Sequence, residues 1–258
     1  MTNSPLTRQT TGAGGVSPIF LLIVAVFVGA GAELALGRGG NIGTFVFVFV
    51  GWLISLCLHE WAHALSAHAG GNRGVAERGY LTLNPLKYAN PFLSLAVPLL
   101  FLAAGGIGFP GGAVYVNKEA LRNKWWRAGV SAAGPAMNLV LLFMCALALR
   151  FAPMNETLAG AVAFLALLQA TAFVLNILPV PGLDGFGILE SFFPAHERAM
   201  IAPIANIAAI IFFALLLMAP VLFMPVFNVA QIMCNWSGVS DMDMQTGITA
   251  FRFWDQAP

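Results

Sequence analysis

The sequence contains little charge for its length. Only 9% of the 258 residues are Asp, Glu, Lys or Arg and 59% are hydrophobic, whereas a typical soluble domain has about 25% charged residues. Water could not wet the whole surface of such a chain. This excludes a soluble globular protein and predicts an integral membrane protein with several spans. The 12 basic residues are scattered without a long run, which excludes a nucleic-acid-binding surface.

Cysteine and aspartate are also scarce. The three cysteines, Cys57, Cys145 and Cys234, lie far apart in or beside apolar segments. They are therefore interpreted as small buried side chains rather than as a disulfide framework. Three of the four aspartates lie beyond residue 240, so Asp184 is the only aspartate in the first 240 residues.

Long apolar segments divide the chain into one membrane domain with two polar tails. We expect a disordered tail at 1–17, a single transmembrane domain at 18–234 with its core at 42–194, and a polar C-terminal tail at 235–258. The predicted spans are 18–36, 42–69, 128–150, 157–178 and 199–218. The predicted fold class is an all-α polytopic membrane protein with about 5–6 transmembrane helices.

Some segments depart from this helical pattern. Residues 92–109 are apolar but broken by proline and glycine, so they form either a short span or a re-entrant loop. Residues 219–234 contain two prolines, and whether they span is left open. Brief alternation at 79–84 and a run after a glycine-rich turn at 112–117 predict a short membrane-associated β region after the second span.

The basic residues favour one topology. With a cytoplasmic N-terminus and a re-entrant loop at 92–109, nine of the 12 basic residues lie on one side of the membrane and three on the other. This asymmetry follows the positive-inside rule and is weaker if 92–109 crosses fully. We therefore expect the second span to end on the cytoplasmic side.

One polar motif lies inside that second span. In His59-Glu60-Trp61-Ala62-His63, the two histidines are four residues apart on one helix face, so both imidazoles can bind one metal ion. Glu60 stands beside the first histidine and can act as a general base, which is the arrangement of zinc hydrolases. A carboxylate at membrane depth is costly, which favours a function over a purely structural role for the histidines.

A catalytic zinc site needs a third protein ligand and an open position. His68 is a poor candidate because a helical turn of about 100° per residue points it away from both motif histidines, and His196 lies in a remote polar turn. Asp184 directly follows a predicted span that also ends on the cytoplasmic side. The topology therefore brings Asp184 to the depth of the histidines, with an ordinary turn aspartate as the alternative interpretation.

These motifs stand in the order of a known family. The chain resembles the site-2 protease family of intramembrane zinc metalloproteases, of the compact bacterial type without a PDZ or CBS domain. The resemblance covers residues 42–194 and rests on three motifs. They are HEWAHA at 59–64, AAGPAMNL at 132–139 and NILPVPGLDG at 176–185.

The resemblance implies that one Zn²⁺ per chain is bound by His59, His63 and Asp184, with Glu60 as the catalytic base. It also implies that Asn176 lies near the site and contacts the substrate or the oxyanion. The implied activity is hydrolysis of peptide bonds in or near transmembrane segments of membrane-anchored proteins, as in regulated intramembrane proteolysis. The implied location is the inner (plasma) membrane as a multi-pass protein in the lipid bilayer, with the active site toward the cytoplasm.

The other motif residues are interpreted structurally. Gly134, Pro135 and Asn138 look like a site of close helix packing through small residues. Gly182 stands where the family usually has proline, and Phe186 follows Asp-Gly where a small residue is common. These departures affect the local turn and substrate preference without removing a ligand.

Two other functions compete with proteolysis. A membrane metal transporter would use the histidines and the aspartate as a transit site, but the chain has one metal constellation and no internal duplication. A catalytically inactive homologue would only bind membrane clients, and the intact set of ligands and base argues against it.

Overall fold

The computed structural model describes residues 15–87 and 115–255, and this part of the chain is mostly helical. The four long helices are α1 Pro18–Ala35, α2 Gly40–Ala69, α4 Lys124–Phe151 and α5 Glu156–Ile177. The other helices are α3 Gly74–Glu77, α6 Asp184–Glu190, α7 Ala195–Met218, α8 Met224–Ser237 and α9 Asp241–Phe251. Short 3-10 turns occupy Tyr80–Thr82, Pro85–Lys87, Lys118–Ala120, Pro220–Phe223 and Phe253–Asp255.

Four helices in the described part of the chain are long and apolar enough to cross a membrane: α1, α2, α4 and α5. They confirm the first four predicted spans. Helix α7, at the fifth predicted span, is bent by 42° between Ala195–Ala205 and Ile210–Leu216, and it gives a fifth crossing if the bent pair is one span. Residues 92–109, expected to form either a short span or a re-entrant loop, lie outside the described residues.

The predicted β region is wrong where the structure describes it. Tyr80–Thr82 form a 3-10 turn, and residues 115–117 have no regular structure. Gly79 and Leu83 on either side of the turn have left-handed backbones, with φ of 76° and 58°. The Thr82 hydroxyl donates to the Gly79 carbonyl at 2.7 Å. This local closure replaces the extended backbone that a strand requires. Residues 112–114 lie outside the described part.

A polar side chain caps the N-terminus of each of three long helices. Ser17 accepts a hydrogen bond from a backbone amide in the first turn of α1, and Pro18 follows it at the first helical position. Asn123 and Asn155 do the same for α4 and α5, at 3.0 and 2.9 Å. These caps satisfy amides that have no partner within the helix. Asn155 also donates to the Leu34 carbonyl at 2.7 Å, which ties the start of α5 to the end of α1.

Helix α5 is the central helix of the bundle. Ala163, Ala166 and Ala170 are completely buried, in a cluster with Leu142 of α4 and Cys234 of α8. Small side chains let neighbouring helices approach closely, which is the usual basis of helix association in membranes. Helix α5 is thereby held between α2, α4, α8 and α9.

The segment from 235 onward packs against this bundle. A side chain at Gly247 of α9 would overlap the Gly160 carbonyl of α5, so these two glycines permit a close helix crossing. Phe251 is fully buried and stacks on Phe45 of α2 with 5.0 Å between ring centroids. The end of α9 is therefore anchored to the start of α2.

Candidate metal centre

Helix α2 brings the two motif histidines together. The Nε2 atoms of His59 and His63 are 3.1 Å apart, and the residues are only 6% and 8% exposed. His59 lies about 28 Å along the helix from Gly40 and about 15 Å from Ala69, at 1.5 Å per residue. The pair therefore lies within a membrane-spanning helix, in the part closer to its C-terminal end.

Asp184, the first residue of α6, completes the cluster. Its Oδ2 atom is 3.2 Å from His59 Nε2, and its Oδ1 atom is 3.4 Å from His63 Nε2. Burial alone would raise the pKa of this carboxyl, but the neighbouring His63 and His59 hold the pKa well below its usual range. Metal ligation uses the carboxylate form of this side chain.

Glycines allow α6 to sit where it does. A side chain at Gly185 would overlap the Ile177 carbonyl at the end of α5, and one at Gly187 would come within 2.6 Å of the Ser131 hydroxyl on α4. Helix α6 is thus pressed against both long helices. That packing directs Asp184 toward the histidines on α2.

The other nitrogen of each imidazole faces an oxygen that accepts a hydrogen bond. His59 Nδ1 donates to the Asn138 side-chain oxygen at 2.7 Å, and His63 Nδ1 donates to the Val130 carbonyl at 2.6 Å. A neutral imidazole with its proton on Nδ1 has a lone pair on Nε2. Two such lone pairs and a carboxylate then face one another, and this arrangement attracts a cation.

The distances are close to those of a zinc site. A tetrahedral ion with bonds of about 2.0–2.1 Å separates its ligand atoms by about 3.3–3.4 Å. The two imidazole nitrogens are 3.1 Å apart, and each lies 3.2–3.4 Å from a different oxygen of the Asp184 carboxylate. Gly134 on α4 faces the same position, since a Cβ atom there would overlap the Nε2 atoms of both His59 and His63. Three protein ligands leave the fourth tetrahedral position open for water or substrate.

Glu60 lies beside the histidines and is 3% exposed. One of its carboxylate oxygens is within 4.8 Å of a ring nitrogen of both His59 and His63. Glu60 therefore lies close to the position that the two histidines face. Asn176, the remaining predicted site residue, is buried in the last turn of α5, eight residues before Asp184.

The structure separates the other two histidines from this cluster. His68 is exposed near the end of α2. His196 is on α7 with 75% of its side chain exposed, 3.9 Å from Glu197.

Two residues that the sequence assigns to helix packing also contact the motif histidines. Asn138 is 2% exposed and orients His59, and Gly134 leaves the space that the metal position needs. An amide buried in a transmembrane helix is costly unless it is bonded, so Asn138 could have been recognised as a functional candidate. The role of the Val130 carbonyl has no sequence signal, because every residue has a backbone carbonyl.

Two ion pairs link the segment before α4 to the region after Asp184. Lys118 Nζ is 2.5 Å from Glu190 Oε2 at the end of α6, and Arg198 on α7 is 3.2 Å from Glu119. Lys118 is 46% exposed, so the first pair borders water. These contacts connect α6 to the surface of the protein.

Comparison with curated proteins finds relatives along nearly the whole chain. The "Putative zinc metalloprotease Rip2" of Mycolicibacterium smegmatis is 44% identical over 245 residues, covering 92% of this chain and 94% of the relative. The protein of the same name from Mycobacterium tuberculosis is 45% identical over 246 residues, with the same coverage. The "Putative zinc metalloprotease YwhC" of Bacillus subtilis is 33% identical over 180 residues, covering 66% of this chain and 79% of the relative. No protein-family model and no solved structure matched the chain.

Proposed function

This chain belongs to the site-2 protease family of zinc metalloproteases, and we propose that it cuts membrane-anchored proteins in or near their transmembrane segments. Four long apolar helices in the described part of the chain indicate a membrane protein. The observation that carries the proposal is the convergence of His59, His63 and Asp184 inside this helix bundle, with ligand atoms 3.1–3.4 Å apart.

In this proposal His59, His63 and Asp184 hold one Zn²⁺. Zinc, when bound, supplies Lewis acidity that activates a water molecule and polarises the scissile carbonyl. Glu60 accepts a proton from the attacking water and later delivers it to the leaving amine. Its burial beside the histidines supports this role, since a base must lie close to the proton that it moves.

Asn176 is proposed to act on the substrate. Its side-chain amide can donate a hydrogen bond to the oxyanion that develops on the attacked carbonyl, or to the substrate backbone. The residue is buried at the end of α5, and the chain between it and Asp184 is a short turn. That placement supports a position near the open side of the site.

We propose that the site faces the cytoplasmic side of the inner membrane. The two histidines lie nearer the Ala69 end of α2 than the Gly40 end. Nine of the 12 basic residues lie on that side in the predicted topology, which is the cytoplasmic pattern. A transmembrane substrate would have to unwind locally there, because a helix conceals its backbone amides in internal hydrogen bonds.

The test compares purified wild type with Glu60→Gln. Both proteins should contain one zinc per chain, and only wild type should cleave a model single-span substrate in proteoliposomes. Cleavage by Glu60→Gln would contradict the assignment of the base. Zinc uptake into the liposomes that stops in Glu60→Gln, without substrate cleavage by wild type, would favour a transporter. Binding of the substrate without cleavage by wild type would favour an inactive client-binding protein.

A further inference from the structure

Gln169 is a fully buried amide in the central helix α5, with an exposed fraction of 0%. It lies in the interior of a membrane helix bundle, where a polar side chain is costly unless its hydrogen bonds are made. Its Oε1 atom accepts from the Asn138 amide at 2.9 Å, and its Nε2 atom donates to the Ser55 hydroxyl oxygen at 2.8 Å. Gln169 therefore connects α4 to α2 through side chains.

These bonds form one continuous chain that reaches a candidate zinc ligand. His59 donates to Asn138, Asn138 donates to Gln169, and Gln169 donates to Ser55. Ser55 then donates to the backbone carbonyl of Gly51 at 2.8 Å. Every donor in the chain thus points away from the metal position.

The last acceptor fixes this direction. A carbonyl oxygen can only accept, so the Ser55 hydroxyl must use its proton on Gly51, and its oxygen is left to accept from Gln169. The Gln169 oxygen must then face Asn138, and the Asn138 oxygen must face His59. Under this order the proton of a neutral His59 ring lies on Nδ1, and the lone pair of Nε2 points to the metal position.

We propose that Gln169 is a positioning residue that sets the tautomer and orientation of His59 through Asn138. The inference rests on the proposed role of His59 as a zinc ligand. Hydrogen-bond partners of ligating histidines typically change metal affinity about 10–100-fold when they are removed. Gln169 acts one bond further out, by preventing the Asn138 amide from turning its nitrogen toward the ring.

Thr171 provides a matched comparison on the same helix. It is also buried, at 3% exposed, but its hydroxyl donates to the Leu167 carbonyl within α5. Loss of that hydroxyl removes a buried polar group without changing the hydrogen bonds that lead to His59. A general cost of changing buried polar residues in α5 would therefore affect Thr171 and Gln169 alike.

The experiment measures the zinc Kd of the metal-free protein by competition with a chelator. Gln169→Met keeps an unbranched side chain of similar size but has no strong donor or acceptor, and we expect its Kd to rise about 10-fold or more. Gln169→Glu should retain an affinity close to wild type. A buried carboxylic acid stays neutral and offers one acceptor to Asn138 and one donor to Ser55. Thr171→Val should leave the Kd unchanged.

Two further readouts separate positioning from structure. Thermal unfolding of each metal-free variant reports folding, and we expect Gln169→Met to unfold near the wild-type temperature. At saturating zinc, Gln169→Met should lower kcat with little change in KM, because the substrate contacts are intact. If Gln169→Met does not fold, Ser55→Ala is the alternative variant. It removes the hydroxyl that fixes the direction of these hydrogen bonds, and it should also raise the zinc Kd.

The outcomes distinguish the positioning role of Gln169 from the proposed ligand role of His59. Wild-type zinc affinity in Gln169→Met, or a Kd for Gln169→Glu as weak as that of Gln169→Met, would overturn the positioning role. Measurement of His59→Ala in parallel tests the underlying site. If His59→Ala loses zinc while Gln169→Met does not, only the inference about Gln169 fails. If His59→Ala binds zinc as tightly as wild type, the proposed ligand set itself fails.

Discussion

The two sides of the candidate metal centre are built differently. The histidine side consists of His59 and His63 within the 30-residue helix α2, and each ring is held by an acceptor on α4 at 2.6–2.7 Å. The aspartate side consists of Asp184 at the start of the seven-residue helix α6, with 22% of its side chain exposed. One side lies within a long membrane helix, and the other lies on a short helix that packs against α4 and α5.

This difference suggests a division of roles. The histidine side has buried imidazoles whose orientation is held by hydrogen bonds, so we expect it to determine the affinity and geometry of zinc binding. The aspartate side depends on the turn at Gly182, which has a φ of 97°, and on an ion pair at the protein surface. It should tolerate substitution better, because part of the Asp184 side chain is exposed.

The largest effect should come from filling the space on the histidine side. In Gly134→Ala the added methyl group would overlap the Nε2 atoms of His59 and His63, so zinc Kd should rise by about 100-fold or more. Gly129→Ala is the control on the same helix, because a Cβ atom there meets nothing within 4 Å. Equal zinc contents of the two purified variants would show that Gly134 does not face the metal position.

The second-largest effect distinguishes the two histidines by their hydrogen-bond acceptors. Asn138→Leu removes the acceptor of His59 and should raise the zinc Kd about 10–100-fold. Val130→Ala keeps the backbone carbonyl that holds His63, so it should cost about 1–2 kcal/mol of stability for two lost methyl groups without changing zinc affinity. Chelator competition and thermal unfolding check both. Unchanged affinity in Asn138→Leu would mean that His59 needs no side-chain partner.

A smaller effect is expected from the turn on the aspartate side. Gly182→Ala places a side chain in the left-handed region, at a cost of about 1–2 kcal/mol, and should shift Asp184 and weaken zinc binding about 10-fold. Gly37→Ala carries similar strain at a φ of 72° in the turn after α1, with open space around it. Its free energy of unfolding should fall by as much as that of Gly182→Ala, while its zinc affinity stays at the wild-type value. Parallel losses of affinity in both variants would indicate general destabilisation.

The smallest effect should come from the surface ion pair. Lys118→Gln or Glu190→Gln should cost about 0.2–1 kcal/mol of stability, because exposed pairs are screened by water and salt. Their effect should shrink further at high ionic strength. Unfolding at low and high salt measures it. A loss of zinc comparable to that of Gly134→Ala would mean that the surface pair, and not helix packing, holds Asp184 in place.

The parts that could be predicted from sequence follow from local patterns. Apolar runs of about 20 residues give α1, α2, α4 and α5 because a membrane span needs that length. The four-residue spacing places His59 and His63 on one face whatever the rest of the chain does. Asp184 could be selected as the one aspartate in the first 240 residues.

The parts that could not be predicted depend on tertiary contacts. The alternation at 79–84 is too brief to impose a strand, and the left-handed backbone at Gly79 and Leu83 closes it into a 3-10 turn. The hydrogen bond between His59 and Asn138 joins residues 79 positions apart, which no local pattern can show. The packing of Phe251 on Phe45 likewise depends on where the last helix returns in the bundle.

The most direct test of the metal centre is zinc K-edge X-ray absorption of the purified wild-type protein. If His59, His63 and Asp184 hold the ion, the first shell should contain nitrogen and oxygen atoms at about 2.0–2.2 Å, with the multiple-scattering signature of two imidazoles. A sulfur shell at about 2.3 Å, a single imidazole, or protein that binds no zinc would contradict the site described here.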